Sequence, residues 1–278
     1  ASEGCDFEAP GSKFACYDSG DHYPKTIALV GDSHMEALLW GFKRLKDENR
    51  LGMNVLAIGK SSCSPFIYTE SMTPGGVSLG CEQVITAAIE EISASSDIEW
   101  VVLVGRHAAR FEGNGFGAVE AHRDILDYRY SEAALRSNDN REIFSLGLKR
   151  TLDILNESGK RVIFVDQLPE LGFHLRPCVD NLGFGYQEGC SLPLEVVSKR
   201  LGPYKKSVDG ILSEYKNTLR YDPMKWVCGV NSCSPFDHAG GLFYRDDDHM
   251  SMYGAEVIAA EIARLIEDAV SKDQPQGA

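Results

Sequence analysis

Short apolar runs alternate along the chain with segments in which apolar residues recur every three or four positions. The run Thr26 to Val30 lies between Pro24 and Gly31 and is typical of a strand buried on both faces of a parallel sheet. Similar runs are Met53 to Ile58, Trp100 to Val104, Arg161 to Val165 and Lys225 to Cys228. We therefore predict a parallel sheet of about five strands.

Three amphipathic helices are predicted from residues that recur on one face. The faces are Met35, Leu38, Leu39, Phe42 and Leu45, then Ile143, Leu146, Leu148, Leu152 and Leu155, and last Val257, Ile258, Ile262, Leu265 and Ile266. Alternation of strands and helices predicts a three-layer α/β/α domain with flavodoxin-like winding. We expect Trp40 to lie in the core or in an interface instead of serving as a stacking surface for sugars.

The pattern divides the chain into three parts. Residues 1–25 are polar, contain Pro10, Pro24 and three glycines, and are expected to form a disulfide-stapled lead-in without regular structure. Residues 26–270 form the α/β domain, and residues 271–278 a frayed tail. Two long connections, Arg106 to Asn140 and Leu168 to Tyr204, follow the carboxyl ends of strands and are expected to wall the ligand site.

The charge of the chain excludes one class of partner. Its formal net charge is -13, whereas nucleic-acid affinity depends on clustered Lys and Arg that neutralise phosphates. We therefore expect no nucleic-acid partner. No apolar run reaches the roughly 18 residues that indicate a membrane span.

Eight cysteines fall in four neighbouring couples, which are Cys5/Cys16, Cys63/Cys81, Cys178/Cys190 and Cys228/Cys233. An even number in loop-like surroundings indicates disulfides formed in an oxidising compartment, so we expect a periplasmic or other extracytoplasmic location. The sequence permits many other pairings, and neighbour pairing is favoured only because short loops are easy to close. Zinc is the alternative, but the cysteines and histidines lack metal-ligand spacing, and we predict no metal.

The sharpest chemical signal is Gly31-Asp32-Ser33-His34, at the junction between the first strand and the first helix. A serine there projects from a tight turn, and the helix N-terminus offers backbone N–H groups to a developing oxyanion. Taken alone, the pattern favours the interpretation of Ser33 as a helix cap.

A second segment, Tyr244 to Ser251, precedes the last predicted helix and contains Asp246 and His249. A serine hydroxyl becomes a good nucleophile when a histidine takes its proton and an acid orients that histidine. Asp246 can reach back to His249 within one turn, so we predict a Ser33, His249, Asp246 triad. Asp247 and Asp248 are the rival orienting acids, and such neighbours are more often solvated charges.

Together these residues resemble the SGNH (GDSL-like) hydrolases, in which Gly31-Asp32-Ser33 matches the first sequence block and Asp246-x-x-His249 the last. More narrowly, Ser62-Cys63-Ser64-Pro65 and Gln167-Leu168-Pro169 are similar to the extracytoplasmic SGNH domain fused to acyltransferase-3 membrane proteins. The resemblance implies O-acetylation of a bacterial surface polysaccharide. It further implies that a membrane domain of the same full-length protein supplies the acyl group.

The chain departs from this family at the oxyanion hole. The family contributes a glycine from its second block, for which Gly59 is the counterpart or merely a turn glycine. It also contributes an asparagine after the third strand, where this chain has Gly105-Arg106-His107-Ala108. We expect the donors to be the Ser33 backbone N–H, Gly59, and either His107, which the position favours, or Arg106.

We therefore predict serine-dependent acetyl transfer between an acyl donor and a glycan acceptor, without a cofactor. Two alternatives stay open. A stand-alone carbohydrate acetylesterase would share every motif, and a catalytically degenerate glycan-binding domain is compatible with the missing asparagine.

Overall fold

The computed structural model describes residues 4–9, 13–73, 75–120, 127–131, 137, 139–180 and 190–273. Its strands are β1 (Ala15–Asp18), β2 (Thr26–Gly31), β3 (Asn54–Gly59), β4 (Thr69–Met72), β5 (Ile98–Val104), β6 (Asp127–Tyr130), β7 (Arg161–Val165), β8 (Leu192–Pro193), β9 (Thr218–Tyr221) and β10 (Ser232–Cys233). Its helices are α1 (Ser33–Asp47), α2 (Cys81–Ala94), α3 (His107–Glu112), α4 (Asn140–Glu157), α5 (Arg176–Asp180), α6 (Leu194–Leu212), α7 (Met224–Val227) and α8 (Met252–Asp273).

A six-stranded sheet in the order β1-β3-β2-β5-β7-β9 forms the centre of the fold. All neighbours in it are parallel except β1, which pairs antiparallel with β3. The chain passes from β2 outward to β3 and then back across β2 to β5, which is the predicted flavodoxin-like winding. The order reverses between β2 and β5, so the loops after Gly31 and Val104 diverge at a crevice where such sheets place ligands.

The apolar strands are covered on both faces. In β2, Ala28 and Val30 belong to one hydrophobic cluster, and Ile27 and Leu29 belong to the other. Helices α2, α4 and α6 contribute to the first cluster, and α1 and α8 contribute to the second. Because successive strand side chains point to opposite faces, burial of both faces explains the uninterrupted apolar runs of the sequence.

The predicted fifth strand is wrong. Met224–Val227 forms the short helix α7, and the fifth parallel strand is Thr218–Tyr221. Among the described strands of the main sheet, β9 pairs only with β7, so it tolerates a polar residue that a central strand would exclude. Arg220 in β9 donates through Nε to the buried Asp166 carboxylate at 2.7 Å.

The ends of the chain also differ from the sequence expectation. The lead-in contains β1, whose register with β3 runs from Ala15 opposite Gly59 to Asp18 opposite Leu56, so regular structure begins before Thr26. Helix α8 extends to Asp273, so residues 271–273 are helical instead of frayed, and residues 274–278 lie outside the described part of the chain. Helix α6 begins inside the second predicted connection.

Four disulfides join the neighbouring cysteines, as short loops favour: Cys5 to Cys16, Cys63 to Cys81, Cys178 to Cys190 and Cys228 to Cys233. They fit an extracytoplasmic domain. None of the described helices combines the length and apolar character needed to cross a membrane.

Candidate active site

Ser33 is the first residue of α1 and lies directly after the end of β2. A Cβ atom on Gly31 would lie 1.9 Å from the Val104 carbonyl oxygen, so only glycine fits where β2 and β5 meet. Asp32 accepts hydrogen bonds from the backbone N–H of His34 and from that of Arg106, both at 2.9 Å. Asp32 therefore caps α1 and ties together the chain segments that leave β2 and β5.

The structure brings Ser33, His249 and Asp246 together. Ser33 Oγ lies 2.8 Å from His249 Nε2, and both carboxylate oxygens of Asp246 lie 3.1 Å from His249 Nδ1. Asp246 also accepts the backbone N–H of His249 at 2.7 Å. These contacts are those that a serine, its base and an orienting acid require.

Asp248 contributes a second carboxylate to the same imidazole, at 2.7 Å from His249 Nδ1. Its other oxygen lies 3.1 Å from Arg106 Nε and 3.7 Å from His34 Nε2. Asp248 is only 6% exposed, so the expectation of a solvated neighbouring charge is wrong for this residue. The two acids approach His249 together and are not alternatives.

His34 stacks on the imidazole of His249. The centroids of the His34 and His249 rings are 4.5 Å apart, with 22° between the ring planes. His34 is buried, and its backbone is fixed by the bond to Asp32. The His249 ring is therefore held on its face by His34 and at its edge by Asp246 and Asp248.

Charge around His249 favours its protonated form. Burial acts to lower the pKa of His249, but hydrogen bonds and charge from Asp246 and Asp248 outweigh it and raise the pKa to about 10. Burial likewise acts to raise the pKa of Asp248, and its contacts with His249, His34 and Arg106 outweigh this and hold the pKa well below its ordinary value. In the free site, protonated His249 therefore donates to Ser33 Oγ until the pH is high enough to remove the proton.

The guanidinium of Arg106 is committed to carboxylates and not to the oxyanion position. It donates to Glu120 through Nη1 at 2.8 Å, to Glu170 through Nε at 2.8 Å, and contacts Asp248. Burial acts to lower the pKa of Arg106, and these carboxylates outweigh it and raise the pKa further. Arg106 therefore holds these carboxylates in place, and its side chain does not take the oxyanion-donor role that the sequence suggested for it.

The side chain of His107 points into the core. Its Nε2 lies 3.2 Å from the Val165 carbonyl oxygen, and its ring stacks on Phe164 at 4.5 Å between centroids. Burial lowers the pKa of His107 to about 4. Helix α3 begins at His107 and turns the ring away from Ser33, so the expected donor role does not fit this arrangement.

Gly59 is a packing glycine inside β3. A Cβ on it would lie 2.3 Å from the Gly31 carbonyl oxygen and 2.4 Å from Met35 Cε. In this part of the chain it is Ser62, three positions later, that lines the site, and its φ is 68°. A residue in that left-handed conformation after a strand marks a tight turn, which sequence reasoning missed.

Ser33, His249 and Asp246 line a polar pocket of about 340 Å³. It is lined by Asp32, Ser33, His34, Ser62, Arg106, Arg110, Glu120, Asp246, Asp247, Asp248 and His249. Sequence reasoning also missed two other lining residues, Arg110 and Glu120. The signal for Arg110 was its position four residues after Arg106, because residues four apart in a helix lie on the same face.

The pocket also contains potential metal ligands. Atoms of His34, Asp248 and His249 lie within 4.8 Å of one another. However, His249 Nδ1 and Asp248 are already bonded to each other, and the Arg106 cation lies 3.1 Å from Asp248. A cation there would displace these contacts, so the donor set suits a proton-transfer site better than a metal centre.

Sequence comparison identifies one family, described as the SGNH domain fused to AT3 domains, which matches residues 4–264. A comparison with curated proteins gave no significant match.

Among solved structures, the periplasmic domain of a lipopolysaccharide acetyltransferase from Salmonella ser. Paratyphi A has a TM-score of 0.60 at 15% identity, with 89% of this chain and 85% of that chain covered. A mutant of an acetyl-xylooligosaccharide esterase from Geobacillus has a TM-score of 0.47 at 13% identity, with 88% and 94% covered. A GDSL-like lipase from Bacteroides thetaiotaomicron has a TM-score of 0.44 at 11% identity, with 90% and 89% covered.

Proposed function

The chain belongs to the family of SGNH domains fused to AT3 domains, and from this premise we propose that it transfers ester-linked acetyl groups to hydroxyls of a bacterial surface polysaccharide, with Ser33 as nucleophile. The observation that supports the proposal most strongly is the contact of 2.8 Å between Ser33 Oγ and His249 Nε2. Two elements far apart in sequence supply these atoms, and the Asp246 carboxylate completes the set.

The first half-reaction forms an acyl-enzyme. Neutral His249 takes the Ser33 proton while Oγ attacks the acyl carbonyl, and the tetrahedral intermediate carries its negative charge on the former carbonyl oxygen. Protonated His249 then gives the proton to the departing alcohol oxygen as its bond to the acyl carbon breaks. Asp246 and Asp248 stabilise the imidazolium between these two steps.

The second half-reaction reverses these roles. A glycan hydroxyl gives its proton to His249 and attacks the acyl carbon, and Ser33 Oγ leaves with the proton returned by His249. Water in place of the glycan would give hydrolysis by the same route. Transfer and hydrolysis therefore share every residue up to the acyl-enzyme.

We assign the oxyanion to the N-terminus of α1 and the turn at Ser62. The Ser33 backbone N–H lies at the positive end of a helix of 15 residues. Ser62 and Arg110 both line the pocket. A cation there can supply the stabilisation that the family obtains from an asparagine.

The family supports a proposal for the acyl donor and for the location. An AT3 membrane domain would present the acyl group, and this chain would accept it in an extracytoplasmic compartment. The Salmonella periplasmic domain, named as part of a lipopolysaccharide acetyltransferase, supports this proposal. The four disulfides are compatible with it.

The test uses p-nitrophenyl acetate with an isotope-labelled acetyl group, in the presence of de-O-acetylated bacterial surface polysaccharides. We expect the wild-type chain to place label on at least one polysaccharide and Ser33→Ala to place label on none. Label found only in free acetate, at a rate unaffected by every polysaccharide, would instead indicate a stand-alone acetylesterase. No turnover of any kind would indicate a glycan-binding domain without catalysis.

A further inference from the structure

The solvent-facing side of α1 continues from the nucleophile as a row of polar and aromatic residues. Ser33, Glu36, Trp40 and Lys43 are spaced at i, i+3, i+7 and i+10, which places them on one face of the helix. The buried positions of α1, such as Leu38, fall on the opposite side. Trp40 lies two helical turns, or about 10 Å, beyond Ser33 along the helix axis.

Two adjoining depressions, of about 310 and 170 Å³, lie along this face and share Ala15 and Glu36. The larger is also lined by Lys13, Phe14, Lys60, Ser61 and Leu79, and the smaller by Cys16, Tyr17, Met35, Leu39, Trp40, Lys43 and Ala57. We call these two depressions the α1 groove. Ser61 lies next to Ser62 of the catalytic pocket, so the groove leads from the nucleophile to Trp40.

The far end of the groove is built from aromatic rings around a cation. Lys43 Nζ lies 4.4 Å from the centroid of the Tyr17 ring and 5.4 Å from that of Trp40. Trp40 is 53% exposed, so it does not lie in the core of this chain. A pyranose ring presents an apolar C–H face that an aromatic ring can cover, and its hydroxyls accept from an ammonium group.

We propose that the α1 groove binds the sugar residues next to the hydroxyl that is acylated, with Trp40 as the stacking surface. This inference rests on the proposed function, since it names the acceptor site of that reaction. Charged side chains (Lys13, Glu36 and Lys60) and aromatic rings line the groove together, whereas the core of a protein–protein contact is depleted of charged residues. A glycan chain suits this mixture, and the groove opens where an acceptor hydroxyl must arrive.

The test measures binding of the chain to a printed array of bacterial surface polysaccharides. We expect wild type to bind at least one of them, and Trp40→Ala to bind it about tenfold or more weakly, as for a tryptophan at the centre of a contact. Trp40→Phe, which keeps an aromatic face, should recover part of the loss. Melting temperatures of the variants should match that of wild type, which would exclude unfolding as the cause of weaker binding.

The opposite edge of the sheet offers matched controls. Lys225 Nζ lies 5.2 Å from the Tyr221 ring and 5.5 Å from the Trp226 ring, so like Lys43 it contacts a tyrosine and a tryptophan, and it also pairs with Glu261. Lys43→Ala should weaken binding and Lys225→Ala should not. Val230, which is 88% exposed, provides Val230→Ala as a control for loss of an exposed apolar side chain.

Equal binding by wild type and Trp40→Ala would overturn the proposal, as would the absence of binding to every polysaccharide on the array. The first result would instead favour Trp40 as a contact for a protein partner. Ser33→Ala should bind as wild type does, because the groove lies beyond the nucleophile. Trp40-dependent binding without any acetyl transfer would therefore contradict the proposed function alone.

Discussion

At the scale of single residues, the pocket places one imidazole against two carboxylates. His249 Nδ1 lies within 3.1 Å of Asp246 and 2.7 Å of Asp248, so a positive charge on the ring is stabilised twice. A general base acts only in its neutral form. The same contacts that orient His249 therefore shift its working range towards alkaline pH.

This arrangement predicts the pH dependence of the esterase reaction. Since the pKa of His249 is raised to about 10, kcat/KM for p-nitrophenyl acetate should climb from neutral pH towards that value. Asp248→Asn should move the rise to lower pH, because one carboxylate fewer stabilises the imidazolium. A rise near the ordinary histidine pKa of about 6.5, unchanged in Asp248→Asn, would contradict the role given to Asp248.

The raised pKa of His249 also makes the free energy of unfolding depend on pH. The folded-state pKa of His249 lies above its ordinary value, so its contribution to folding is complete below about 6.5 and is lost as the pH rises through about 10.

Arg110 is predicted to stabilise the oxyanion. Arg110→Ala should lower kcat for p-nitrophenyl acetate by about 10², the usual loss for one oxyanion donor, with little change in KM. Arg110→Lys should recover part of the rate because it keeps the charge. Arg141→Ala is the control, since Arg141 is exposed and pairs with Glu112 outside the pocket. Wild-type kcat in Arg110→Ala would exclude this role.

At the scale of elements, the sequence predicted the strands that are buried on both faces and missed the edge strands. β2, β3, β5 and β7 are covered on both faces, so their apolar runs were visible. The edge strands β1 and β9 were missed because each has one neighbour in the main sheet and carries polar residues. Their pairing depends on contacts distant in sequence, which no local pattern records.

The site was predictable to a similar extent. Ser33, Asp246 and His249 stand at strand and loop ends with motif spacing, so sequence reasoning could bring them together. The sequence prediction of an oxyanion donor after β5 assumed an extended chain, in which neighbouring side chains point to opposite sides. In the structure α3 begins at His107, so the side chains there follow helical spacing instead. Arg110 therefore reached the pocket instead of His107.

The disulfide Cys63–Cys81 is predicted to support catalysis through the turn at Ser62. It ties this turn to the first residue of α2. The double variant Cys63→Ser/Cys81→Ser should lose about 3 kcal/mol of stability, as expected for a loop of this size, and should also lose kcat. The matched control is Cys178→Ser/Cys190→Ser, whose loop of similar length should affect stability but not kcat. Equal kcat in the two double variants would show that the turn needs no such support.

At the scale of the whole molecule, an ion network joins the segments around the switch point of the sheet. Arg106 binds Glu120 from the connection after β5 and Glu170 from the connection after β7. Arg200 of α6 donates to Glu170 at 2.6 Å. Through Arg106, the network thus links the connections after β5 and β7 to Asp248, the carboxylate that contacts His249.

Removing the central cation should destabilise the fold as well as the site. Arg106→Gln leaves Glu120, Glu170 and Asp248 short of a buried partner, and we expect a loss of about 3–5 kcal/mol in the free energy of unfolding. Arg264→Ala, which breaks only exposed contacts with Glu261 and Asp268, should cost no more than about 1 kcal/mol. Denaturant unfolding measures both variants. Similar losses in the two would mean that the network does not hold the connections together.

The most direct test of the central claim is whether Ser33 becomes acylated. Intact-mass spectrometry of the chain, quenched in acid during turnover of p-nitrophenyl acetate, should show the addition of one acetyl group, and peptide mapping should place it on Ser33. Ser33→Ala should melt close to wild type, since it removes no core contact, and should gain no acetyl group. Acetylation of Ser33→Ala to the wild-type extent, or a wild-type chain that turns over the ester without modification at Ser33, would contradict the assignment of Ser33 as the nucleophile.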